Sequence, residues 1–263
     1  MIKLSIITVC KNEETNIERT LTSVLEQTFT DYEYVVIDGG STDGTMDIVN
    51  KYSDRINIIV SEPDTGIFNA QMKGLKYSSG EYIYFLNAGD YLSGKSILEK
   101  VFLSAKSSDI VYGDIIYKLK NGMLYRKKSF KIISPMKLML ESLPHPATFT
   151  KRSVFDKCGK FDESYKIIAD YEFLLRALLK FRCSTQYISI PLAVFNLEGL
   201  SSKSENTLSY KHELDKAQRE YVPKLSYRIF RIFKPLILLI FKKFRYLLYL
   251  TSSIISKKFL LGE

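Results

Sequence analysis

The sequence has few cysteines, and they form no recognisable framework. Its 263 residues include three of them, Cys10, Cys158 and Cys183, an odd number at wide spacing. This pattern fits neither a disulfide scaffold nor a zinc knuckle. We therefore expect a protein of the reducing cytoplasm.

Long hydrophobic runs are also missing. The apolar start of the chain ends at Lys11 after the length of one strand, so we do not expect a signal peptide. The longest uncharged stretches near the C-terminus, residues 235–241 and 246–256, are well short of the roughly 20 residues that a membrane-spanning helix needs. The sequence therefore predicts no membrane span.

Most of the chain carries almost no net charge. Residues 221–263 contain nine of the 38 Lys and Arg residues and one of the 29 Asp and Glu residues, which gives them +8 of the net +9. Residues 1–220 are left with 29 basic and 28 acidic residues, whereas a nucleic-acid-binding domain normally carries its charge on the folded body. We therefore expect no nucleic-acid partner, and a basic tail that meets an anionic surface.

Two common nucleotide-binding motifs are absent as well. Gly39 and Gly44 have the spacing of a phosphate-binding loop, but Thr45 stands where that loop requires lysine. No Gly-x-Gly-x-x-Gly follows the first predicted strand, which disfavours a dinucleotide-dependent dehydrogenase.

Apolar, β-rich segments instead alternate with amphipathic segments in the N-terminal half. Strands are predicted at residues 3–10, 34–37, 56–60 and 82–86, and helices at 12–27, 42–52 and 66–77. Asn12 is the predicted cap of the first helix. This alternation predicts right-handed βαβ units, a parallel sheet and an α/β fold.

The second half is less regular. Its predicted elements are an antiparallel hairpin of residues 109–117 and 123–127, a strand at 144–151, and helices at 170–181 and 208–221. We divide the chain into a domain of residues 1–220, with halves 1–95 and 96–220, and a basic amphipathic helical tail of residues 221–263.

Polar clusters follow each of the four predicted parallel strands. They are Lys11-Asn-Glu13, Asp38-Gly-Gly40, Ser61-Glu-Pro-Asp64 and Asn87-Ala-Gly-Asp90. Each alone can be an ordinary turn. Together they predict a binding rim, because ligands of open parallel sheets lie outside the carboxyl ends of the strands. An acidic rim suits a divalent cation held between the protein and a diphosphate.

Five motifs in order carry a family resemblance over roughly residues 3–200. They are residues 5–13, 36–44, 61–67, 85–90 and 168–176. With these motifs the sequence resembles glycosyltransferase family 2, of the GT-A fold. The resemblance implies inverting transfer of a sugar, typical of a hexosyltransferase, from a UDP-sugar or similar donor to an acceptor hydroxyl. It also implies bacterial cell-surface polysaccharide or glycolipid synthesis. The basic tail predicts attachment to the inner face of the cell membrane, which suggests a glycan or lipid-linked acceptor.

The resemblance also implies site residues. Thr8 and Glu13 lie in the loop that receives the nucleoside, Asp38 accepts the imine N–H of the base, and Asp64 lies along the nucleotide pocket. Asp90 is the metal ligand for Mg²⁺ or Mn²⁺, and Asp170 is the general base. His145 lies near the acceptor or the diphosphate, with a purely structural role as the alternative.

One departure from the family pattern concerns the metal. Asn87, Gly89 and Asp90 stand where the family has several acidic residues, so one carboxylate remains and Asn87 offers a neutral carbonyl oxygen. The diphosphate and water are then expected to complete the coordination shell.

Several alternatives stay open at this stage. Asp170 could be a helix N-cap, and Glu172 with Arg176 is expected to form a helix-surface ion pair. The tail has the pattern of an interfacial helix, with packing on the domain or on a partner subunit as the alternative. The alternative functions are a nucleotidyltransferase and a non-catalytic membrane adaptor.

Overall fold

The computed structural model describes residues 2–119, 121–196 and 208–233. The chain forms two compact units, Met1–Tyr221 and Val222–Glu263. The first unit is built on one mixed sheet, which has nine strands among the described residues.

Four parallel strands form one side of this sheet. Their spatial order is β3 (Ile58–Ser61), β2 (Tyr32–Asp38), β1 (Leu4–Cys10) and β4 (Tyr82–Phe85). Every residue of β1 is buried, including the polar Ser5 and Thr8, as expected for a central strand of a parallel sheet. Asp38 pairs in register with Cys10 on one side and Ser61 on the other, so the polar segments after these strands meet at one edge.

Three helices connect these strands, as the alternation predicts. They are α1 (Ile17–Leu25), α2 (Thr45–Asn50) and α3 (Ile67–Tyr77). Close packing of α3 on the sheet depends on Gly74, where an added Cβ would lie 2.3 Å from Ile7 Cγ2. The turn into β4 is as tight, since a Cβ at Gly80 would lie 2.5 Å from the Ser5 backbone nitrogen.

The other side of the sheet is mostly antiparallel. It contains β5 (Tyr91–Leu92), β6 (Ile110–Lys118), β7 (Leu124–Lys127), β8 (Thr148–Lys151) and β9 (Thr185–Asn196). Strand β8 joins the two sides, because it runs antiparallel to both β4 and β6. The predicted hairpin of β6 and β7 is present, and β9 runs parallel to β6.

The remaining helices all follow β5 along the chain. They are α4 (Ile97–Ser104), α5 (Pro135–Leu140), α6 (Arg152–Cys158), α7 (Ala169–Leu175) and α8 (Leu208–Tyr221). A π-helical turn, Arg176–Lys180, extends α7, and a 3₁₀ turn, His145–Ala147, precedes β8. The α/β prediction is confirmed, and the bounds of α8 agree with the predicted ones.

The predicted cap of the first helix is wrong. Helix α1 begins at Ile17, and Asn12 lies earlier, in a left-handed conformation with a φ of 53°. Its side-chain oxygen instead accepts a hydrogen bond from the Thr42 N–H at 2.9 Å. Asn12 therefore joins two loops of the rim rather than beginning a helix.

All three cysteines are free and buried. Although distant in sequence, Cys158 and Cys183 lie together, with their sulfur atoms 3.8 Å apart. Burial raises the pKa of the Cys158 thiol to about 12. These thiols therefore pack as small apolar groups, which agrees with the expected absence of a disulfide framework.

The described part of the tail is a helix over residues 224–233. It exposes large apolar side chains at a spacing that places them on one face: Leu225, Ile229, Ile232 and Phe233. The rest of the predicted amphipathic helix, with Lys234, Lys242 and Arg245, lies outside the described residues. Within residues 2–119, 121–196 and 208–233, no helix is both long and apolar enough to cross a membrane.

Candidate active site

Asp38 lies at the end of β2 and holds the following loop. Its carboxylate accepts hydrogen bonds from the Gly40 N–H at 3.1 Å, the Ser41 N–H at 3.0 Å and the Ser61 hydroxyl at 2.7 Å. Burial alone would raise the pKa of Asp38, but the hydrogen bonds from Ser41 and Ser61 outweigh it and lower the pKa. The side chain is fully buried, so the predicted contact with a base would require one of these hydrogen bonds to be replaced.

The first two rim loops are joined to each other. The Asn12 N–H donates to the Ser41 hydroxyl at 2.8 Å, and the Glu13 N–H donates to the Thr45 hydroxyl, also at 2.8 Å. The Glu13 carboxylate is half-buried and accepts a hydrogen bond from the Asn16 side chain at 2.9 Å. These bonds hold the first two rim loops against each other.

Asp64 brings the third loop to the same rim. An ideal Cβ on Gly39 would lie 2.1 Å from Asp64 Oδ2, so glycine at this position leaves room for the carboxylate. The other oxygen of Asp64 accepts a hydrogen bond from the Gly66 N–H at 2.9 Å. The side chain is half-buried and reaches the surface of the rim, unlike that of Asp38.

Thr8 lies below this surface. Its side chain is fully buried, and its hydroxyl is 2.9 Å from the Tyr34 hydroxyl on the neighbouring strand. In this arrangement Thr8 connects β1 and β2, and its side chain is not accessible from the rim surface.

Four predicted site residues meet in a second cluster, the catalytic cluster: Asn87, Asp90, His145 and Asp170. The Asn87 amide nitrogen is 3.0 Å from His145 Nε2, and Asp90 Oδ2 is 3.8 Å from the same nitrogen. On the other side of the ring, His145 Nδ1 is 3.8 Å from Asp170 Oδ2. His145 therefore separates the two carboxylates at the centre of the cluster.

The hydrogen-bond network assigns the protonation of His145. Gln71, which the sequence analysis did not single out, donates to the Asn87 side-chain oxygen at 2.9 Å. The Asn87 NH₂ group then faces His145 Nε2. With the side-chain amides assigned in this way, Nε2 is the acceptor and the ring proton is on Nδ1, on the side of Asp170. Burial lowers the pKa of His145, although the Asp170 carboxylate acts in the opposite direction, so the ring is neutral at pH 7.

Asp90 is the buried carboxylate of the cluster. One of its oxygens accepts a hydrogen bond from the Asn196 N–H at 3.0 Å, but burial still raises its pKa well above the ordinary value. The raised pKa favours the neutral carboxylic acid, whereas a divalent cation bound beside it would favour the carboxylate. The described residues contain no group of three or more His, Cys, Asp or Glu side chains arranged for a metal ion. Among the predicted metal-motif positions, the protein therefore offers one buried carboxylate, Asp90, to a cation.

Asp170 is not a helix cap. It is the second residue of α7, whose N-cap is Ile168, and no side-chain capping hydrogen bond is present. The alternative that Asp170 is a helix N-cap is therefore wrong. Its carboxylate instead faces His145.

The ion pair after Asp170 also differs from the prediction. Arg176 donates to Glu172 at 3.0 Å, but Glu172 is 1 % exposed, so the pair is buried and not on the helix surface. Arg176 also donates to the carbonyl oxygens of Cys158 at 2.8 Å and Lys160 at 2.7 Å. The pair therefore connects α7 to the segment that precedes it and fixes the position of the helix that carries Asp170.

A cavity of about 650 Å³ opens beside the catalytic cluster. Gln71, Asn87, His145 and Asp170 line it as one connected group, which we call its polar end. Its walls are mainly apolar and include Phe68, Leu138, Leu143, Ile168, Tyr171 and Phe195. The volume is within the usual range of small-molecule sites. The cavity can thus seat a substrate whose reactive group lies at the polar end.

Comparisons with known proteins identify the class. The family model for "Glycosyl transferase family 2" matches residues 5–161. The chain belongs to this family. A PGL/p-HBAD biosynthesis glycosyltransferase of Mycobacterium bovis is 31% identical over 205 residues, which are 75% of this chain and 78% of that protein. Staphylococcus aureus TarS, a poly(ribitol-phosphate) beta-N-acetylglucosaminyltransferase, is 30% identical over 192 residues, 68% of this chain and 33% of TarS.

Solved structures show the same fold. S. aureus TarS 1–349 in complex with UDP-GlcNAc aligns with a TM-score of 0.66 at 22% identity, over 83% of this chain and 71% of that one. A mannosyltransferase from Pyrobaculum calidifontis, in complex with GDP-Man and Mn²⁺, aligns with a TM-score of 0.55 at 16% identity over 83% of this chain and 61% of that one. The expected GT-A fold is confirmed. The protein is a glycosyltransferase, and neither the nucleotidyltransferase nor the adaptor alternative receives support.

Proposed function

We propose that the protein is an inverting transferase that moves a sugar from a UDP-sugar to an acceptor hydroxyl. The observation that carries this proposal is the position of Asp170, at the polar end of the cavity and 3.8 Å from the neutral His145. A carboxylate there can accept a proton from a hydroxyl group that enters the cavity.

The proposed reaction is a single displacement. The acceptor oxygen forms a bond to the anomeric carbon while the bond from that carbon to the diphosphate oxygen breaks, and UDP leaves with the electron pair. Asp170 takes the hydroxyl proton, a form of general-base catalysis worth about 10²- to 10⁴-fold. One displacement inverts the anomeric configuration.

His145 and Asn87 orient this base. The Nδ1 proton of His145 points towards Asp170, and Asn87 holds the opposite ring nitrogen as an acceptor. Asn87 is in turn fixed by Gln71. We also assign Asn87 to the diphosphate side of the donor and His145 to a position near the acceptor or the diphosphate, and in this proposal both hold the geometry of the base.

We place the nucleoside at the rim of Glu13, Asp38 and Asp64, with Thr8 below it. Asp64 is the carboxylate that reaches the rim surface, and Asp38 shapes the loop beneath. Complexes of TarS with UDP and with UDP-GlcNAc support UDP as the nucleotide.

Asp90 would hold Mg²⁺ or Mn²⁺ together with oxygens of the diphosphate and water. When bound, the ion supplies positive charge to the diphosphate as it leaves. The uncompensated burial of Asp90 supports this assignment, as does the Mn²⁺ in the complex of the mannosyltransferase neighbour.

We propose that the protein works at the inner face of the cell membrane on a glycan or lipid-linked acceptor of cell-surface polysaccharide or glycolipid synthesis. The exposed face of Leu225, Ile229, Ile232 and Phe233, with Arg228 beside it, is apolar and basic, as an interfacial helix requires. Deletion of residues 224–263 should release the protein from anionic vesicles, and unchanged binding would refute the role of the tail.

A donor panel tests the reaction. The purified chain is incubated with a set of UDP-sugars and Mg²⁺ or Mn²⁺, and the released nucleotide and the anomeric configuration of the product are measured. We expect UDP and an inverted product. Release of pyrophosphate, or retention of configuration, would contradict the proposal.

A further inference from the structure

Several polar side chains of the cavity wall are bound within the protein. Lys127 and Glu141 line it but form an ion pair with each other at 2.8 Å. The Tyr171 hydroxyl donates to the Leu138 carbonyl oxygen at 2.9 Å, and the Ser142 hydroxyl donates to the Leu143 carbonyl oxygen at 3.0 Å. These polar groups are therefore already paired within the protein.

The apolar groups, in contrast, are presented to the cavity. Leu140 lines it and is 43% exposed. Phe195 also lines it, with its ring edge-on to His145 at 6.0 Å between centroids. The cavity wall therefore presents a solvent-accessible leucine and an aromatic ring in contact with the catalytic cluster.

The distribution of polar groups restricts the acceptor. Gln71, Asn87, His145 and Asp170 are at one end, where they can meet one hydroxyl group. A sugar ring deeper in the cavity would place several hydroxyl groups against apolar walls without partners, which is unfavourable. An alkyl or aryl group there would remove apolar surface from water.

We propose that this cavity is a subsite for an acceptor with an apolar body. The reacting hydroxyl lies at Asp170, and the alkyl or aryl group attached near it packs against Leu138, Leu140, Leu143 and Phe195. This inference rests on the proposed function, since it takes the hydroxyl beside Asp170 as the nucleophile. The exposed Lys166 also lines the cavity and is available to a charged part of the acceptor outside the apolar space.

The test uses matched acceptors that differ in their apolar group alone. With the full chain, Mg²⁺ or Mn²⁺ and a panel of UDP-sugars, kcat/KM is compared for methyl, hexyl and phenyl glycosides of the same sugars. A buried methylene corresponds to about fourfold in affinity. We expect hexyl and phenyl glycosides to exceed the methyl glycosides by at least about tenfold. Equal kcat/KM values across each set would overturn the proposal.

Two variants locate the effect. Leu140→Asn should lower the hexyl-to-methyl ratio several-fold, because it places an amide on the apolar wall. Leu103→Asn is the matched control, since Leu103 is 81% exposed on α4 and does not line the cavity, and its ratio should equal that of the wild type. An unchanged ratio in Leu140→Asn would place the preference elsewhere and refute the subsite.

A binding measurement separates this inference from the proposed function. Saturation-transfer NMR detects hexyl glycoside on the chain whether or not transfer occurs. If no UDP-sugar is turned over but hexyl glycoside binds and Leu140→Asn weakens it, the subsite stands and the proposed reaction fails. If UDP is released on transfer but the hexyl and methyl glycosides bind equally, the reaction stands and the subsite fails.

Discussion

Asp38→Asn gives a quantitative test of how the nucleotide rim is built. Its carboxylate is fully buried and accepts hydrogen bonds from two backbone N–H groups and from Ser61. Asparagine keeps the shape but presents an NH₂ group to some of these donors. Hydrogen bonds to a charged group contribute about 1.5–3 kcal/mol each, so we expect a loss of about 3 kcal/mol in the free energy of unfolding.

The measurement is urea unfolding followed by far-ultraviolet circular dichroism, because the chain has no tryptophan for fluorescence. Asp64→Asn is the matched control at the same rim. Its carboxylate is half-buried and accepts one backbone hydrogen bond, from Gly66. We expect this variant to fold with nearly wild-type stability but to bind UDP more weakly. If Asp38→Asn lowers the free energy of unfolding by less than about 0.5 kcal/mol, its hydrogen bonds do not stabilise the loop as proposed.

The same variant has a defined pH dependence. Hydrogen bonds lower the pKa of Asp38 in the folded protein. Its stabilisation is therefore fully present above the unfolded pKa of about 3.9 and is lost as the pH falls through the folded pKa. The stability difference between wild type and Asp38→Asn should persist at pH 7 and shrink below about pH 4. A difference that stays constant in acid would contradict this explanation.

Two further predictions concern the cation and the packing of the sheet. Excess chelator should abolish sugar transfer, and added Mg²⁺ or Mn²⁺ should restore it. Full activity in excess chelator would refute the proposed dependence of transfer on a metal ion. Gly80→Ala should lower the free energy of unfolding by about 1–3 kcal/mol, because its Cβ would lie 2.5 Å from the Ser5 backbone nitrogen. Gly94→Ala is the control, since the atom closest to its Cβ would be Ile97 Cγ1 at 3.9 Å, and urea unfolding compares the two. Equal free energies of unfolding for the two variants would show that the backbone around Ser5 and Gly80 shifts to make room for the Cβ.

The parallel half of the sheet could be predicted because its signals are local. Each strand is a short apolar run, and each following helix has an amphipathic pattern, so element order and rim position follow from the sequence alone. Strand β9 was missed because Pro191 interrupts it. This proline lies where the pairing of β6 and β9 is irregular, and proline in a central strand argues against a strand.

The features of the site that could not be predicted from the sequence depend on contacts between distant segments. The burial of Asp38 requires Ser61 from the neighbouring strand, and the role of Gln71 appears only when α3 meets Asn87. The motifs in the sequence predict Asn87, His145 and Asp170 as site residues, each separately. Their order around the imidazole ring, which gives His145 its proton on Nδ1, follows only from the folded structure.

The central claim is that Asp170 accepts the proton of the acceptor hydroxyl. Asp170→Asn tests it most directly, because asparagine keeps the size of the side chain but cannot act as the base, and no capping hydrogen bond is lost. The measurement is kcat with saturating UDP-sugar and acceptor, alongside the Kd of UDP. We predict a fall in kcat of about 10²-fold or more with an unchanged Kd. Near-normal turnover by Asp170→Asn would contradict the account.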